Sequence, residues 1–346
     1  MNTNQKIFLE NLKKVDGIYV DCDGTIFNNV PVMVQAKVFT LKYFFKVDPF
    51  QFKKQDALKN LLSFYKENPH MYKRKNFWVK ESINHFKKGI KQNPNSMVDE
   101  VDIFRLSSKA LGATFLRNEQ LNTNKIYEKF LKYFSKYQKN NKKYEIVKKH
   151  FLLEISQKKQ ELISQISNET YISDNFTSKL FFDLYFAVYH TFFTEKILFH
   201  EYSHNIVKKF NIFARKNKKE FGMISNREEG SLFLLLKYFH LLNKNHFNKN
   251  FVYGGDKLLG GKPGLIQFEK IFPKNKSLVY IGDSIVDFQT MVNFNQTHGK
   301  GFIFGIILPS KFEFDQEKIK KFSKKFKSNN IVVLSHKEIY EVLKIL

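Results

Sequence analysis

Cysteine is nearly absent from this chain of 346 residues, in which Cys22 is the only one. A single thiol excludes an intramolecular disulfide framework and any zinc site built from cysteine alone. A chain that forms no disulfides is typical of a reducing compartment. The sequence therefore indicates a cytoplasmic protein.

Long apolar runs are also missing. Asp183 and His190 interrupt the tract Phe181–Phe193. The tract Phe302–Leu308 is far too short to cross a bilayer. The first residues, Met1–Asp16, lack the apolar stretch that a secretory signal requires. We therefore expect a soluble protein with no membrane partner.

Arginine is scarce in an otherwise basic chain. Lys and Arg number 58 against 33 Asp and Glu, and the net charge of +25 raises the question of a polyanionic partner. The arginines are Arg74, Arg105, Arg117, Arg215 and Arg227. Surfaces that bind phosphates bidentately or stack on bases favour the guanidinium group. The many Lys, Asn, Ile and Phe residues instead indicate codon bias, and we expect no nucleic-acid partner.

Short apolar runs rich in β-forming residues lie at both ends of the chain. They are Ile18–Val20, Phe221–Ile224, Phe251–Tyr253, Leu278–Ile281, Phe302–Leu308 and Ile331–Leu334. Apolar strands that alternate with helical segments are typical of a parallel sheet buried on both faces. The sequence therefore predicts an α/β fold with a doubly wound, Rossmann-like parallel-sheet core.

The middle of the chain has a helical pattern instead. Apolar residues recur three and four positions apart in Val34–Phe45, Leu58–Tyr65, Ile126–Phe134 and Ile146–Leu162. The chain is long enough to form two hydrophobic cores. We therefore predict a large all-α insertion, residues 28–199, placed after the first strand of a core formed by residues 1–27 and 200–346.

A pair of carboxylates follows the first predicted strand. Asp21 comes at its carboxyl end, Asp23 lies two residues on, and Gly24 permits a tight departure of the backbone. Two carboxylates so close repel each other unless a cation or a shared proton relieves them. The segment is a candidate for metal-dependent chemistry, although an Asx turn ending in glycine would also explain it.

Two further segments place polar groups where an anion could bind. Ser225 follows the predicted strand Phe221–Ile224, where it could cap the next helix or offer its hydroxyl and nearby N–H groups to an anion. Lys262 lies in the segment Gly260–Gly264, whose glycines and proline give it a defined origin. It could reach a phosphoryl oxygen as a point charge, whereas an isolated lysine is normally a solvated surface charge.

A second pair of carboxylates follows the predicted strand Leu278–Ile281. Asp283 comes directly after Gly282, and Asp287 lies one turn later if a helix begins here. Carboxylate oxygens suit magnesium, which keeps several waters and takes few protein ligands. Helix capping by Asp283, with Asp287 in the first turn, would explain the same pattern without a metal.

These four segments would meet at one edge of the predicted sheet. In an open parallel sheet, ligands bind beyond the carboxyl ends of the strands. That edge would collect two carboxylates, a hydroxyl, a lysine and two more carboxylates, in this chain order. We therefore predict an active site there.

The ordered set resembles the four motifs of the haloacid dehalogenase superfamily of phosphotransferases. The matching residues are Asp21-Cys22-Asp23-Gly24-Thr25, Ser225, Lys262 and Gly282-Asp283-Ser284-Ile285-Val286-Asp287. Around Ser225-Asn226-Arg227 and Gly261-Lys262-Pro263 the chain looks most like the phosphoglycolate phosphatase-like branch, which carries a helical cap between its first and second motifs. The resemblance covers residues 1–27 and 200–346, and the insertion is longer than such a cap usually is.

The resemblance implies a magnesium-dependent phosphatase that hydrolyses a small phosphorylated metabolite through an aspartyl-phosphate. Asp21 would be the nucleophile and Asp23 the general acid and base. The phosphoryl group would be held by Ser225, Asn226 and Lys262. The Mg²⁺ ligands would be Asp21, Asp23, Asp283 and Asp287. Members of the superfamily that break carbon–halogen bonds lack a carboxylate at the position of Asp23.

Two other functions stay open on the sequence. The same core could serve a phosphomutase, which passes the phosphoryl group to a substrate hydroxyl. The large basic insertion could instead belong to a protein- or nucleic-acid-binding module with a vestigial site, although the intact motifs argue against this.

The first motif departs from the family pattern at its end, where Ile26-Phe27-Asn28 replaces the usual Leu-x-Asp run. That departure concerns substrate entry and leaves the chemistry in place.

Overall fold

The structure is a computed structural model. It describes residues 1–45, 49–67, 76–105, 198–227, 229–255, 262, 276–298, 303–309 and 330–346. The chain forms two compact units, one of Met1–Val30 with Ile197–Leu346 and the other of Pro31–Lys196. The division into a catalytic core and a cap stays a prediction.

The first unit is built on a six-stranded parallel sheet. The described strands are β1 Gly17–Val20, β2 Phe27–Asn28, β3 Leu198–Phe199, β4 Glu220–Ile224, β5 Val252–Tyr253, β6 Leu278–Gly282, β7 Ile303–Ile307 and β8 Ile331–Val333. The sheet order is β5-β4-β1-β6-β7-β8, and each neighbouring pair is parallel. Strands β2 and β3 form a separate antiparallel pair. Every predicted apolar run supplies one strand of the sheet, so the predicted α/β fold is confirmed.

Helices pack on the strands in the first unit, and further helices belong to the second unit. The described helices are α1 Thr3–Lys14, α2 Val30–Phe45, α3 Lys54–Glu67, α4 Asn76–Gln92, α5 Glu100–Arg105, α6 Ser203–Lys216, α7 Glu229–Tyr238, α8 Ile285–His298 and α9 His336–Ile345, with short 3-10 turns at Pro49–Gln51 and Lys249–Phe251. Helix α6 packs on β4 and α9, and α8 packs on β6 and β7. Every residue of β1, β6 and β7 is buried, as the apolar runs predicted.

Strand β1 lies at the point where the strand order reverses. The chain reaches β4 and β5 on one side of it and β6, β7 and β8 on the other. This reversal is the feature of doubly wound sheets at which loops diverge and leave a crevice for a ligand. The first pair of carboxylates therefore lies where the topology favours a binding site.

The described part of the second unit is helical. Helix α3 packs on α4, and α4 packs on α5. The buried carboxylate of Asp102 joins these helices, because its oxygens lie 3.1 Å from Lys54 Nζ and 2.8 Å from His85 Nε2. The predicted helical segments Ile126–Phe134 and Ile146–Leu162 lie outside the described residues. None of the helices within the described ranges has the length and hydropathy needed to span a membrane.

Candidate active site

Adjacent strands deliver the predicted site residues to one edge of the sheet. Val20, the last residue of β1, is in register with Met223 of β4 and Ile281 of β6. Asp21 continues the ladder, since its N–H donates to the Ile281 carbonyl oxygen at 2.8 Å. Ser225 follows β4 directly. Parallel pairing in this register is what brings together segments 258 and 241 residues apart in the chain.

A cluster of three carboxylates occupies this edge. Asp21, Asp283 and Asp287 are 5%, 8% and 0% exposed. Each offers an oxygen, and these oxygens all lie within 4.8 Å of one another. Charged groups this close and this buried are costly without a compensating cation. The cluster therefore requires positive charge, from the protein or from a bound ion.

Lys262 supplies part of that charge. Its Nζ is 2.6 Å from Asp21 Oδ1 and 2.6 Å from Asp287 Oδ1, and it donates to Tyr280 Oη at 3.0 Å. Burial alone would lower the pKa of Lys262, but the two carboxylates raise it well above its usual range. The ammonium group is therefore held charged in the centre of the site.

The two carboxylates that share Lys262 are shifted in opposite directions. Burial raises the pKa of Asp21 to about 7, although Lys262 acts against this. Burial also opposes ionisation of Asp287, but Lys262 and hydrogen bonds from Ser284 and Tyr280 lower its pKa. One ammonium group cannot fully compensate two carboxylates. Asp21 is therefore the group that gains most from a further cation.

Asp287 is bound at both of its oxygens. Oδ1 accepts from Lys262 Nζ and from Tyr280 Oη, the latter at 2.9 Å. Oδ2 accepts from the Ser284 N–H at 3.1 Å and from Ser284 Oγ at 2.6 Å. Ser284 Oγ accepts in return from the Asp287 N–H, which forms a reciprocal cap at the start of α8. The helix start thus positions Asp287 to anchor Lys262.

Asn226 contacts the main chain of Lys262. Its Oδ1 accepts from the Lys262 N–H at 2.7 Å, and its Nδ2 donates to the Lys262 carbonyl oxygen at 3.4 Å. This two-point contact fixes the point from which the lysine side chain enters the site. Phosphate binding by Asn226 stays a prediction, and its structural contribution is to place Lys262.

Asp23 lies apart from the buried cluster and pairs with Arg227. The Asp23 side chain is 29% exposed, and its Oδ1 is 2.6 Å from Arg227 Nη2. The sequence motif Ser225-Asn226-Arg227 contains this arginine, but its role was not predicted. Arg227 lies 204 positions from Asp23 in the sequence, so residue spacing could not indicate that the two side chains pair.

The turn that leads from Asp21 and Asp23 to β2 is tight. Gly24 has a φ of +80°, a conformation that favours glycine. A Cβ at this position would lie 2.0 Å from Asp283 Oδ2. Thr25 Oγ1 donates to Asp283 Oδ1 at 3.0 Å, so the turn also orients this carboxylate. The close approach of backbone and carboxylate depends on the missing side chain.

Replacing Gly24 by alanine should damage the site and the fold together. The new Cβ would displace Asp283, and the backbone would be strained as well. We expect a loss of about 2 to 4 kcal/mol in the free energy of unfolding, measured by urea denaturation. Gly230, in the first turn of α7, is the control, because nothing lies within 4 Å of a Cβ placed there. Gly230→Ala should be neutral or stabilising, and equal stability of the two variants would contradict the steric argument.

Two histidines that were not predicted support the Gly24–Thr25 turn. His336 Nε2 donates to the Thr25 carbonyl oxygen at 2.7 Å. The His200 ring stacks on His336 with centroids 4.5 Å apart, and it also hydrogen-bonds the main chain of Gly24. They come from the segments after β3 and β8, and only the fold brings them together. Burial lowers the pKa of His200 to about 4, with His336 contributing in the same direction.

This pair should make the protein acid-sensitive. The folded-state pKa of His200 lies below the ordinary 6.5, so the unfolded chain takes up the proton first. The contribution of His200 to the free energy of unfolding should therefore be full above about pH 6.5 and should be lost as the pH drops towards about 4, whereas the raised pKa of Asp21 acts in the opposite direction over this range. We expect the His200 contribution to be about 2 kcal/mol, after allowance for partial solvent screening.

The measurement is urea denaturation across this pH range. His200→Phe keeps an aromatic ring beside His336 and removes the titrating group, so the stability of the wild type relative to that of the variant should fall as the pH drops. His240→Asn is the matched control, because His240 is exposed. An unchanged slope in His200→Phe would show that acid sensitivity arises elsewhere.

Comparison with known proteins adds little to this geometry. No protein-family model matches the chain, and no curated protein matches it. Among solved structures, a protein from Lactobacillus delbrueckii subsp. bulgaricus, provisionally named a phosphoglycolate phosphatase, is similar with a TM-score of 0.43 and 14% identity. The match covers 95% of this chain and 98% of that one. The function of this chain is therefore inferred from its own site.

Proposed function

We propose that the protein is a magnesium-dependent phosphatase that hydrolyses a small phosphorylated metabolite through an aspartyl-phosphate on Asp21. The observation that carries the proposal is the contact of Lys262 Nζ with both Asp21 and Asp287, beside Asp283, at the carboxyl edge of the sheet. A nucleophilic carboxylate, a buried ammonium group and further carboxylates within reach are what phosphoryl transfer requires.

The reaction would proceed in two displacements. A carboxylate oxygen of Asp21 would attack phosphorus and form a P–O bond, while the bond to the leaving oxygen breaks. Asp23 would donate a proton to that oxygen, so that an alcohol leaves. Asp23 would then take a proton from a water molecule as its oxygen attacks phosphorus. Inorganic phosphate would leave and Asp21 would be regenerated.

Lys262 and Ser225 would hold the transferred group. Lys262 is charged and fixed by its carboxylate partners, so it needs little rearrangement to meet charge on the phosphoryl oxygens. Ser225 is 1% exposed, and its Oγ accepts from the Arg227 N–H at 3.2 Å. Its hydroxyl hydrogen can therefore be donated to a phosphoryl oxygen.

The chemistry of the carboxylate cluster fits Mg²⁺. Its donors are hard oxygens. Burial raises the pKa of Asp21, and a bound cation would lower that pKa again. Asp21, Asp283 and the main-chain carbonyl of Asp23 would hold the ion. Asp287, whose oxygens already accept hydrogen bonds, would support the ion directly or through water. When bound, the ion supplies positive charge that offsets the carboxylates and the phosphoryl oxygens.

The helical insertion is the proposed cap. The site residues described above all come from outside residues 28–199. The proposed substrate class is a small phosphomonoester, because Asp21 would take the phosphoryl group and Asp23 would protonate the ester oxygen that leaves.

The experiment is a phosphate-release assay on the full chain. We expect hydrolysis of para-nitrophenyl phosphate and of selected phosphorylated metabolites with Mg²⁺, and loss of this activity with EDTA. Activity that depends on a bisphosphate primer and transfers the group within the substrate would identify a phosphomutase. Retention on heparin without hydrolysis of any phosphomonoester would overturn the proposal in favour of a binding module.

A further inference from the structure

The guanidinium group of Arg227 binds Asp23 at two points. Nη2 lies 2.6 Å from Oδ1, and Nε donates to Oδ2 at 3.2 Å. The Arg227 side chain is only 4% exposed, whereas the Asp23 carboxylate retains 29%. A planar fork of this kind is specific to arginine, since lysine offers a single point charge. Arginine is scarce in this chain, and Arg227 is both buried and paired with a carboxylate.

The backbone on either side of the fork is also held. The Arg227 N–H donates to Ser225 Oγ at 3.2 Å, and the Arg227 carbonyl oxygen accepts from the Gly255 N–H at 2.7 Å. The turn after β4 is thus tied to the residues after β5. The arginine side chain therefore starts from a fixed point and reaches across to the loop after β1.

This contact controls the direction of the Asp23 carboxylate. A carboxylate has about four lone-pair sites, and the fork takes one on each oxygen. The plane of the group is then set, and one site on each oxygen remains for a transferred proton. A general acid must lie within hydrogen-bond reach of the atom it protonates, so orientation decides its effectiveness. A partly exposed aspartate without the fork would sample several rotamers.

We propose that Arg227 is a positioning residue that holds the Asp23 carboxylate towards the leaving-group oxygen. The proposal rests on the proposed phosphatase function. Arg227 neither contacts the reacting phosphorus nor moves a proton, and its effect is confined to the steps in which Asp23 acts.

The leaving group separates this role from a structural one. The para-nitrophenolate ion leaves without a proton, whereas the alkoxide of β-glycerol phosphate needs one. The ratio kcat/KM reports the first displacement, in which Asp23 acts as the acid. Arg227→Met should lower kcat/KM for β-glycerol phosphate by about 100-fold and for para-nitrophenyl phosphate by less than about threefold.

Two further variants sharpen the test. Arg227→Lys restores the charge without the fork, and we expect about a tenfold loss on β-glycerol phosphate. Arg215→Met is the matched control, because Arg215 is exposed, and it should leave both esters unaffected. In a double-mutant cycle, Asp23→Asn with Arg227→Met should be no slower on β-glycerol phosphate than Asp23→Asn alone.

The outcomes are distinguishable. If the wild-type protein hydrolyses both esters and Arg227→Met slows both equally, or neither, the positioning role is wrong and the phosphatase proposal survives. If Arg227→Met adds its full loss to that of Asp23→Asn, Arg227 does not act through Asp23. If the wild-type protein hydrolyses neither ester, the proposed function fails and this proposal fails with it.

Discussion

Asp21→Asn should abolish phosphate release from para-nitrophenyl phosphate, with a loss of at least about 10⁴-fold. The amide has nearly the size of the carboxylate but is a poor nucleophile, so no aspartyl-phosphate can form. Of the three clustered carboxylates, Asp21 follows β1 directly and shares Lys262 with Asp287. Initial rates at saturating Mg²⁺ measure the effect.

The same variant should be folded and no less stable than the wild type. Burial raises the pKa of Asp21 to about 7, so its charge is unfavourable in the fold despite Lys262. Removing that charge should leave the melting temperature without metal unchanged or higher. Asp56→Asn, an identical change at an exposed position in α3, is the control for activity. Wild-type rates in Asp21→Asn, or an equal loss in Asp56→Asn, would contradict the assignment of the nucleophile.

Lys262→Met should cost both stability and activity. Methionine matches the length of the lysine stem, but it leaves Asp21 and Asp287 without the ammonium group that contacts both. Breaking a buried ion pair on one side typically costs about 3 to 5 kcal/mol, and we expect a loss of that size in urea denaturation. Phosphate release should fall by more than about 10²-fold, because the transition-state charge also loses its partner.

A second substitution separates the two effects. Lys262→Met combined with Asp287→Asn removes one of the uncompensated charges, so it should recover part of the stability and none of the activity. Lys237→Met, at an exposed position of α7, is the control and should match the wild type in both measurements. A stable and active Lys262→Met variant would show that Lys262 contributes to neither the stability nor the activity of the protein.

Much of the first unit was predictable because strand formation there follows local patterns. Runs such as Leu278–Ile281 and Ile331–Leu334 are apolar without alternation, which is typical of strands covered on both faces. The run Phe251–Tyr253 shortens to Val252–Tyr253, since Phe251 closes a 3-10 turn. In the insertion, Val34–Phe45 and Leu58–Tyr65 fall within α2 and α3.

The partners within the site were not predictable. Tyr280 reads as an ordinary core residue of β6, yet its hydroxyl contacts both Lys262 and Asp287. Asn226 was predicted to hold phosphate, and its described contacts are with the main chain of Lys262. The partner that a side chain contacts depends on strand register and turn geometry. Residue spacing in the sequence carries no information about either.

The sequence by itself determined the α/β class and the candidate site residues, because strand burial and carboxylate pairs leave local signatures. Only the tertiary structure decided how those residues share their charges. It placed Lys262 between Asp21 and Asp287, and it paired Asp23 with Arg227. Electrostatic and hydrogen-bond energies depend on distances of a few ångströms, and only folding sets these distances between segments 204 and 241 residues apart.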